Sequence, residues 1–112
     1  MIKQRDILLV PFPFSDQSGS KVRPVLVLSN DNYNKSGEDL IVCAITSNLK
    51  QTDYSILINS KNLEKGILYQ KSSIKIDGIL KINKSLVIKN IGTMNKSTFK
   101  EVVEIFNSVF SE

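Results

Sequence analysis

The sequence predicts an α+β fold: a twisted antiparallel sheet, partly rolled into a small barrel, with one helix packed across a face. Two patterns carry that expectation. Short apolar runs rich in Val, Ile and Leu recur between polar, turn-forming stretches from Asp6 to Ile91. Helical spacing of apolar residues is clearest after Asn95. A chain of 112 residues, 41% apolar and 23% charged, has enough material for one core but not two, so a single domain over 1–112 is expected.

The elements follow in order. Residues 6–12 form an apolar first strand, with Pro11 and Pro13 marking its end because neither can donate a ladder hydrogen bond. Residues 14–22 read as a loop, too long for a tight hairpin. Proline disfavours helical geometry in the residue before it, so Arg23 is expected extended at the mouth of a strand over 25–29. Residues 30–39 are turn chemistry with room for one helical turn, and residues 40–46 are a third strand.

After a polar loop at 47–53, residues 54–59 read as a fourth strand. Residues 60–66 suit a one-turn helix capped by Ser60 and closed by Gly66, with a short strand at 67–69. Residues 74–81 alternate until Asp77-Gly78, where a turn or bulge should bend the strand, and 87–91 form the last one. In the terminal helix Phe99, Val102, Val103, Phe106 and Phe110 fall on one face, widened by Ile105 and Val109. Asn95 is placed as its N-cap, and Met94 and Phe99 as a hydrophobic staple.

Composition narrows the chemistry. No apolar run approaches the roughly 20 residues that span a bilayer. No apolar signal region precedes the first acid, so a cytoplasmic protein without membrane attachment is expected. Cys43 is the single cysteine and sits inside an apolar run. It reads as a small buried hydrophobe, with a reactive thiol as the alternative. With no histidine and one cysteine, the usual zinc, haem and iron–sulfur ligand sets cannot be assembled within one chain. Ser-His-Asp and Cys-His catalysis are excluded on the same ground. A carboxylate-held magnesium stays open; otherwise chemistry must come from Arg, Lys, Asp, Glu, Ser, Thr or Tyr.

Net charge is +4, and from Lys65 to Lys100 eight lysines face one acid, Asp77. Such an excess suits a polyanion-facing surface, and equally a merely solubilising one. Arg23 begins one predicted strand and Thr46 ends the next. In an antiparallel pair those ends meet, bringing Ser47, Asn48 and the loop over 15–21 to the same place. A guanidinium with five donors, a hydroxyl and loop amides would form an anion site suited to phosphate. Simple turn capping by Thr46, Ser47 and Asn48 is the competing reading.

Several of these pieces, taken in order, match a known pattern: Asp6-Ile-Leu-Leu-Val, Gly19-Ser20-Lys21, Arg23-Pro24 through Asn30, and Ala44-Ile45-Thr46-Ser47. Ser73-Ile74-Lys75-Ile76-Asp77, Leu80-Lys81-Ile82 and Ile91-Gly92 extend the match. The sequence resembles the MazF/PemK family of toxin endoribonucleases. That resemblance implies an SH3-like barrel acting as a cytoplasmic homodimer, the toxin of a type II toxin–antitoxin pair. It implies metal-independent cleavage of single-stranded RNA, needing no cofactor. The neighbouring 2′-hydroxyl attacks phosphorus, leaving 2′,3′-cyclic phosphate and 5′-hydroxyl ends.

The catalytic positions carried over are Arg23 and Thr46. Ser18, Ser20, Lys21, Ser47, Asn48, Lys75 and Lys81 are expected to contact RNA, and a small antitoxin protein to block the groove. The chain departs from the family at three places. Ser18 stands where many members have glutamate, so Asp16 on the same loop is the candidate proton acceptor. Arg5 stands where glycine commonly precedes the first aspartate, and Lys81 where some members have arginine. Two other classes remain open. One is a weak or inactive member acting as an RNA- or antitoxin-binding module; the other is a small β-barrel that binds a protein tail.

Overall fold

The computed structural model describes residues 1–13 and 20–111. Its strands are β1 (Asp6–Pro13), β2 (Ser20–Val27), β3 (Asp39–Thr46), β4 (Ser55–Ile58), β5 (Leu63–Gly66), β6 (Ser72–Asn83) and β7 (Lys89–Met94). Two α-helices are present among the described residues, α1 (Asp31–Ser36) and α2 (Lys96–Ser108). The strands form one sheet in the order β4-β6-β3-β2-β1-β7-β5, with every pairing antiparallel. The sheet curls into a half-barrel, and α2 packs against it.

Alternation along the strands divides the apolar residues between two faces. Ile7, Leu26, Cys43, Ile45, Ile74 and Ile76 lie under α2, where Phe99 and Val102 complete the cluster with Met94. Leu8, Val10, Val25, Val27, Leu40 and Val42 form a second buried cluster on the other face, covered in part by Ile2, Ile82 and Val87. A strand buried on both faces should read as an unbroken apolar run, as residues 7–10, 25–28 and 40–45 do. Burial pushes the Cys43 thiol up to about 12, the behaviour of a core hydrophobe rather than a reactive thiol.

The cap of the terminal helix matches expectation, Asn95 accepting through its side-chain oxygen from the Thr98 N–H at 2.8 Å. However, α2 ends at Ser108, so Val109 and Phe110 lie beyond it and, like Val103, are exposed. Met94 and Phe99 meet in the same core cluster. The bend foreseen at Asp77-Gly78 is a bulge, since Cys43 pairs with Ile79 but the next residue, Ala44, pairs with Lys75.

Other boundaries differ. β1 ends at Pro13, where the prolines marked its end, one residue past the expected bound and opposite Ser20. The Ile88 N–H donates to the Leu9 carbonyl at 2.8 Å, so Leu9 turns its backbone groups toward β7. Pro11 and Pro13 face the same way by alternation, beyond the last β1–β7 pair, and need no donor there. With β1 longer, β2 begins earlier, and Arg23 lies within β2 opposite Val10 rather than at a strand mouth. The residues at 60–62 form a 3₁₀ turn capped by Asn59, not Ser60, because Asn59 and Asn62 satisfy each other's backbone amides. The strand expected at 67–69 is instead β5, placed earlier by the Leu63↔Met94 and Gly66↔Gly92 pairings. The last strand likewise runs later than expected, after a 3₁₀ turn at Lys84–Leu86.

Candidate active site

Strands β2 and β3 pair through Val25↔Ala44, Leu26↔Cys43 and Val27↔Val42. Extending that register outward by two residues sets Arg23 opposite Thr46. Arg23 alternates with Val25 and Val27, and Thr46 with Ala44 and Val42, so both stand on the face turned away from α2. The observed β2–β3 pairs end at Val25↔Ala44, and β2 continues past Arg23 toward the β1–β2 connection.

Thr46 leads into a loop whose polar side chains satisfy its own backbone. The Asn48 N–H donates to Thr46 Oγ1 at 3.1 Å, and the Lys50 N–H to Asn48 Oδ1 at 3.0 Å. The Thr52 N–H reaches Ser55 Oγ at 2.8 Å, and the Tyr54 N–H reaches Thr52 Oγ1 at 3.0 Å. Turn capping and a ligand site are thus compatible here. The Thr46 oxygen accepts from the loop, and among the described residues its proton is donated to nothing, leaving it available to an incoming acceptor.

Two hollows lie at this sheet end, one lined in part by Thr46 and the other by Ser47. The smaller, of about 140 Å³, is lined by Arg23, Lys21, Ser47, Gln70 and Ser72 together with neighbouring apolar residues. The larger, of about 310 Å³, is lined by Thr46, Asn48, Lys50, Thr52, Ser55, Lys75 and Asp77. Lys75 reaches this cleft because it pairs with Ala44 on β3 and with Ser55 on β4. Among the described residues that line the two hollows, Lys21, Arg23, Lys50 and Lys75 stand against one carboxylate, Asp77, a positive excess suited to an anion.

Of the residues singled out from the sequence, Thr46, Asn48 and Lys75 line the larger hollow, and Lys21, Arg23 and Ser47 the smaller. Ser20 lies at the end of β2, paired with Pro13. Asp16 and Ser18 lie outside the described residues. Lys81 does not join the group: it pairs with Ile41 and meets Asp39 at 3.7 Å. At roughly 3.4 Å per residue, that position is about 17 Å along β3 from Thr46. The other lysines of the basic segment are also dispersed. Lys84 Nζ donates to the Gly37 carbonyl at 2.6 Å, while Lys65 and Lys96 lie near Glu64.

Lys50, Thr52, Ser55, Gln70, Ser72 and Asp77 were missed from the sequence. For Asp77 a signal existed: it is the lone acid of the basic segment and stands two residues beyond Lys75, hence on the same strand face. Ser73 was quoted only as part of the motif. It pairs with Thr46, is fully buried, and its Oγ finds no hydrogen-bond partner among the described residues. Among the described residues no group of three or more cysteines, aspartates or glutamates is placed to hold a metal ion.

The chain is a curled antiparallel half-barrel with a C-terminal helix packed against one face. Residues 3–110 match the family described as PemK-like, MazF-like toxin of type II toxin–antitoxin system, and the chain belongs to that family. One relative is the endoribonuclease MazF of Staphylococcus saprophyticus, 29% identical over 104 residues, covering 90% of this chain and 74% of the relative. A mycobacterial endoribonuclease, solved in complex with its cognate antitoxin, superposes with a TM-score of 0.81 over 98% of this chain and 95% of that one, at 11% identity. The MazE–MazF structure from Deinococcus radiodurans gives 0.79 over 97% and 95%, at 18% identity. At those identities the structural matches speak for the fold, which is the SH3-like fold of MazF.

Proposed function

We propose that this chain is the toxin of a type II toxin–antitoxin pair and cleaves single-stranded RNA without a metal or other cofactor. The observation that supports the reading is the antiparallel β2–β3 pairing, whose register continued by two residues brings Arg23 toward Thr46 at a basic sheet end, in a chain that belongs to this family. The reaction requires no atom beyond those of RNA and protein. The 2′-oxygen bonds to phosphorus as the bond to the 5′-oxygen breaks, giving a 2′,3′-cyclic phosphate and a 5′-hydroxyl.

A guanidinium is permanently charged, so Arg23 serves as clamp for the phosphorane's negative charge and as donor toward the leaving oxygen. Thr46 donates its hydroxyl proton to a non-bridging oxygen. The 2′-hydroxyl proton needs an acceptor, and Asp16, in the stretch of sequence between β1 and β2, is the group assigned to it. Lys21 and Lys75 attract the flanking phosphates, with Ser18, Ser20, Ser47 and Asn48 as polar contacts. Lys81 serves RNA further from the reacting phosphate. The working form is a cytoplasmic homodimer that gathers two basic clefts, and a small antitoxin protein blocks them.

The test is cleavage of a long unstructured RNA in excess chelator, with the product ends identified. The reading expects unchanged cleavage, cyclic phosphate and 5′-hydroxyl ends, and no cut where the scissile step carries 2′-deoxyribose. Cleavage at that deoxy step, or loss of activity on chelation, would overturn it. RNA held in a salt-dependent manner and left intact would instead support a binding module, the outcome suggested by Ser18 in place of glutamate.

A further inference from the structure

Asp77 is out of place on electrostatic grounds. It is the one acid between Lys65 and Lys100, and it lies in the cleft that also holds Thr46, Lys50 and Lys75. A carboxylate there repels any phosphate that the lysines attract. Its position is also a product of the fold. The β6 bulge takes up residues between Lys75 and Ile79, where Ile76 turns into the core under α2 and Asp77 turns into the cleft. Gly78 makes that bend tight: a Cβ there would lie 3.2 Å from the Lys75 carbonyl oxygen.

We propose that Asp77 reads a guanine base placed in this cleft beside the reacting phosphate, an inference that rests on the RNA-cleaving role of the adjoining Arg23–Thr46 site. An ionised carboxylate offers only acceptors. Guanine presents two adjacent donors on its Watson–Crick edge, N1–H and the N2 amine, which two carboxylate oxygens can accept together. Its O6 and N7 acceptors are then matched by the Lys75 ammonium. Adenine and cytosine each set a lone amine beside a ring-nitrogen acceptor that would face the carboxylate. Uracil flanks its one donor with two carbonyls. Single-stranded RNA is read on such unpaired edges. A cleft of about 310 Å³ is within the range of pockets that hold small molecules, roughly 300–1,000 Å³. Asp77 is therefore a specificity-determining residue: its contact offsets the repulsion only when the base carries the right donors.

The experiment uses single-stranded RNA pools randomised around the cut, with fragment ends sequenced, and fluorescent oligonucleotides differing by one guanine-to-adenine change. Wild type and Asp77→Asn are compared in both, with a thermal melt of each. Wild type should favour guanine over adenine at one position adjoining the cut by about tenfold or more, the discrimination expected of one good bidentate pair. Asp77→Asn, near-isosteric but carrying a donor where an acceptor stood, should bring the two bases within about threefold. Equal treatment of guanine and adenine by wild type at every position, or an undiminished preference in folded Asp77→Asn, overturns the proposal. So does an equal rate loss on all four bases with loss of the acidic limb of the pH–rate profile, which would make Asp77 a proton acceptor. If wild type cuts no RNA, the nuclease reading fails separately, and the guanine preference is then read in the binding affinities alone.

Discussion

The seam between β5 and β7 makes Gly66→Ala a demanding test of the fold. Gly66 has φ of +86°, and it pairs with Gly92. A Cβ built on it would sit 2.1 Å from the Ile91 carbonyl oxygen and 2.5 Å from the Gly92 Cα. The left-handed conformation costs an alanine about 1–2 kcal/mol. Relief of the overlap requires β5 to move off β7, which sacrifices two or three ladder hydrogen bonds at about 1 kcal/mol each. The sum is about 4 kcal/mol, and a domain of this size loses about 4 °C per kcal/mol, so Tm should fall by about 15 °C. Circular dichroism melts measure it. Gly37→Ala is the control, because a Cβ at Gly37 meets nothing within 4 Å and should leave Tm nearly unchanged. A Gly66→Ala protein melting within about 2 °C of wild type would show that the β5–β7 pairing contributes little, and the reasoning would fail.

Other expectations concern single side chains. Arg5 has φ of +79°, where glycine is strain-free, and its Nη1 donates to Met94 O and Glu64 Oε1, each at 2.6 Å. Arg5→Gly should therefore melt higher than Arg5→Ala by an amount equivalent to about 1 kcal/mol, since both lose the side chain but only alanine keeps the strain. The hydrogen bond from Arg5 holds the Glu64 carboxyl below its ordinary value. Its stabilising contribution is thus present above the ordinary carboxylate range and is lost as pH falls through the lowered folded value; Glu64→Gln should flatten that part of a Tm-against-pH curve. The Cys43 thiol, raised from 9.0 to about 12, should resist alkylation at pH 8 in the native protein and react fully in denaturant. Its contribution to stability is complete below pH 9 and is lost as pH rises toward 12, a decline that Cys43→Ala should remove.

The elements most legible in sequence were those specified locally. The α2 helix has its own cap at Asn95 and its own apolar stripe, so no distant residue was needed to place it. The continuous apolar runs identified the strands buried on both faces. Strand ends were harder, because they depend on partners. The prolines of β1 are tolerated only because β7 stops pairing at Leu9, and β5 lies where Met94 and Gly92 require it. Arg5 in a glycine position was visible as a departure, but its cause, a positive φ, belongs to the chain's three-dimensional path.

The same distinction applies to the site. The antiparallel pairing of β2 with β3 could be expected from strand order alone. The β4 and β6 residues that line the cleft could not, since their approach to Thr46 follows from β6 pairing with both β3 and β4. The basic segment suggested one lysine-rich surface, yet its lysines lie on successive strands and turns, and Lys75 alone among the described ones lines the hollows at Thr46.

The measurement that bears most directly on the proposed function is single-turnover cleavage of a fluorescent RNA by wild type, Arg23→Ala and Arg23→Lys, with a melt of each to establish that it is folded. Loss of one preorganised donor to the reacting phosphate should slow Arg23→Ala by about 10²–10³. Arg23→Lys should recover only part of that rate, because an ammonium keeps the charge but not the planar fork. RNA affinity should fall much less than the rate, since Lys21, Lys50 and Lys75 share the phosphate attraction. A folded Arg23→Ala protein that cuts RNA at the wild-type rate would contradict the assignment of the reaction to this end of the sheet.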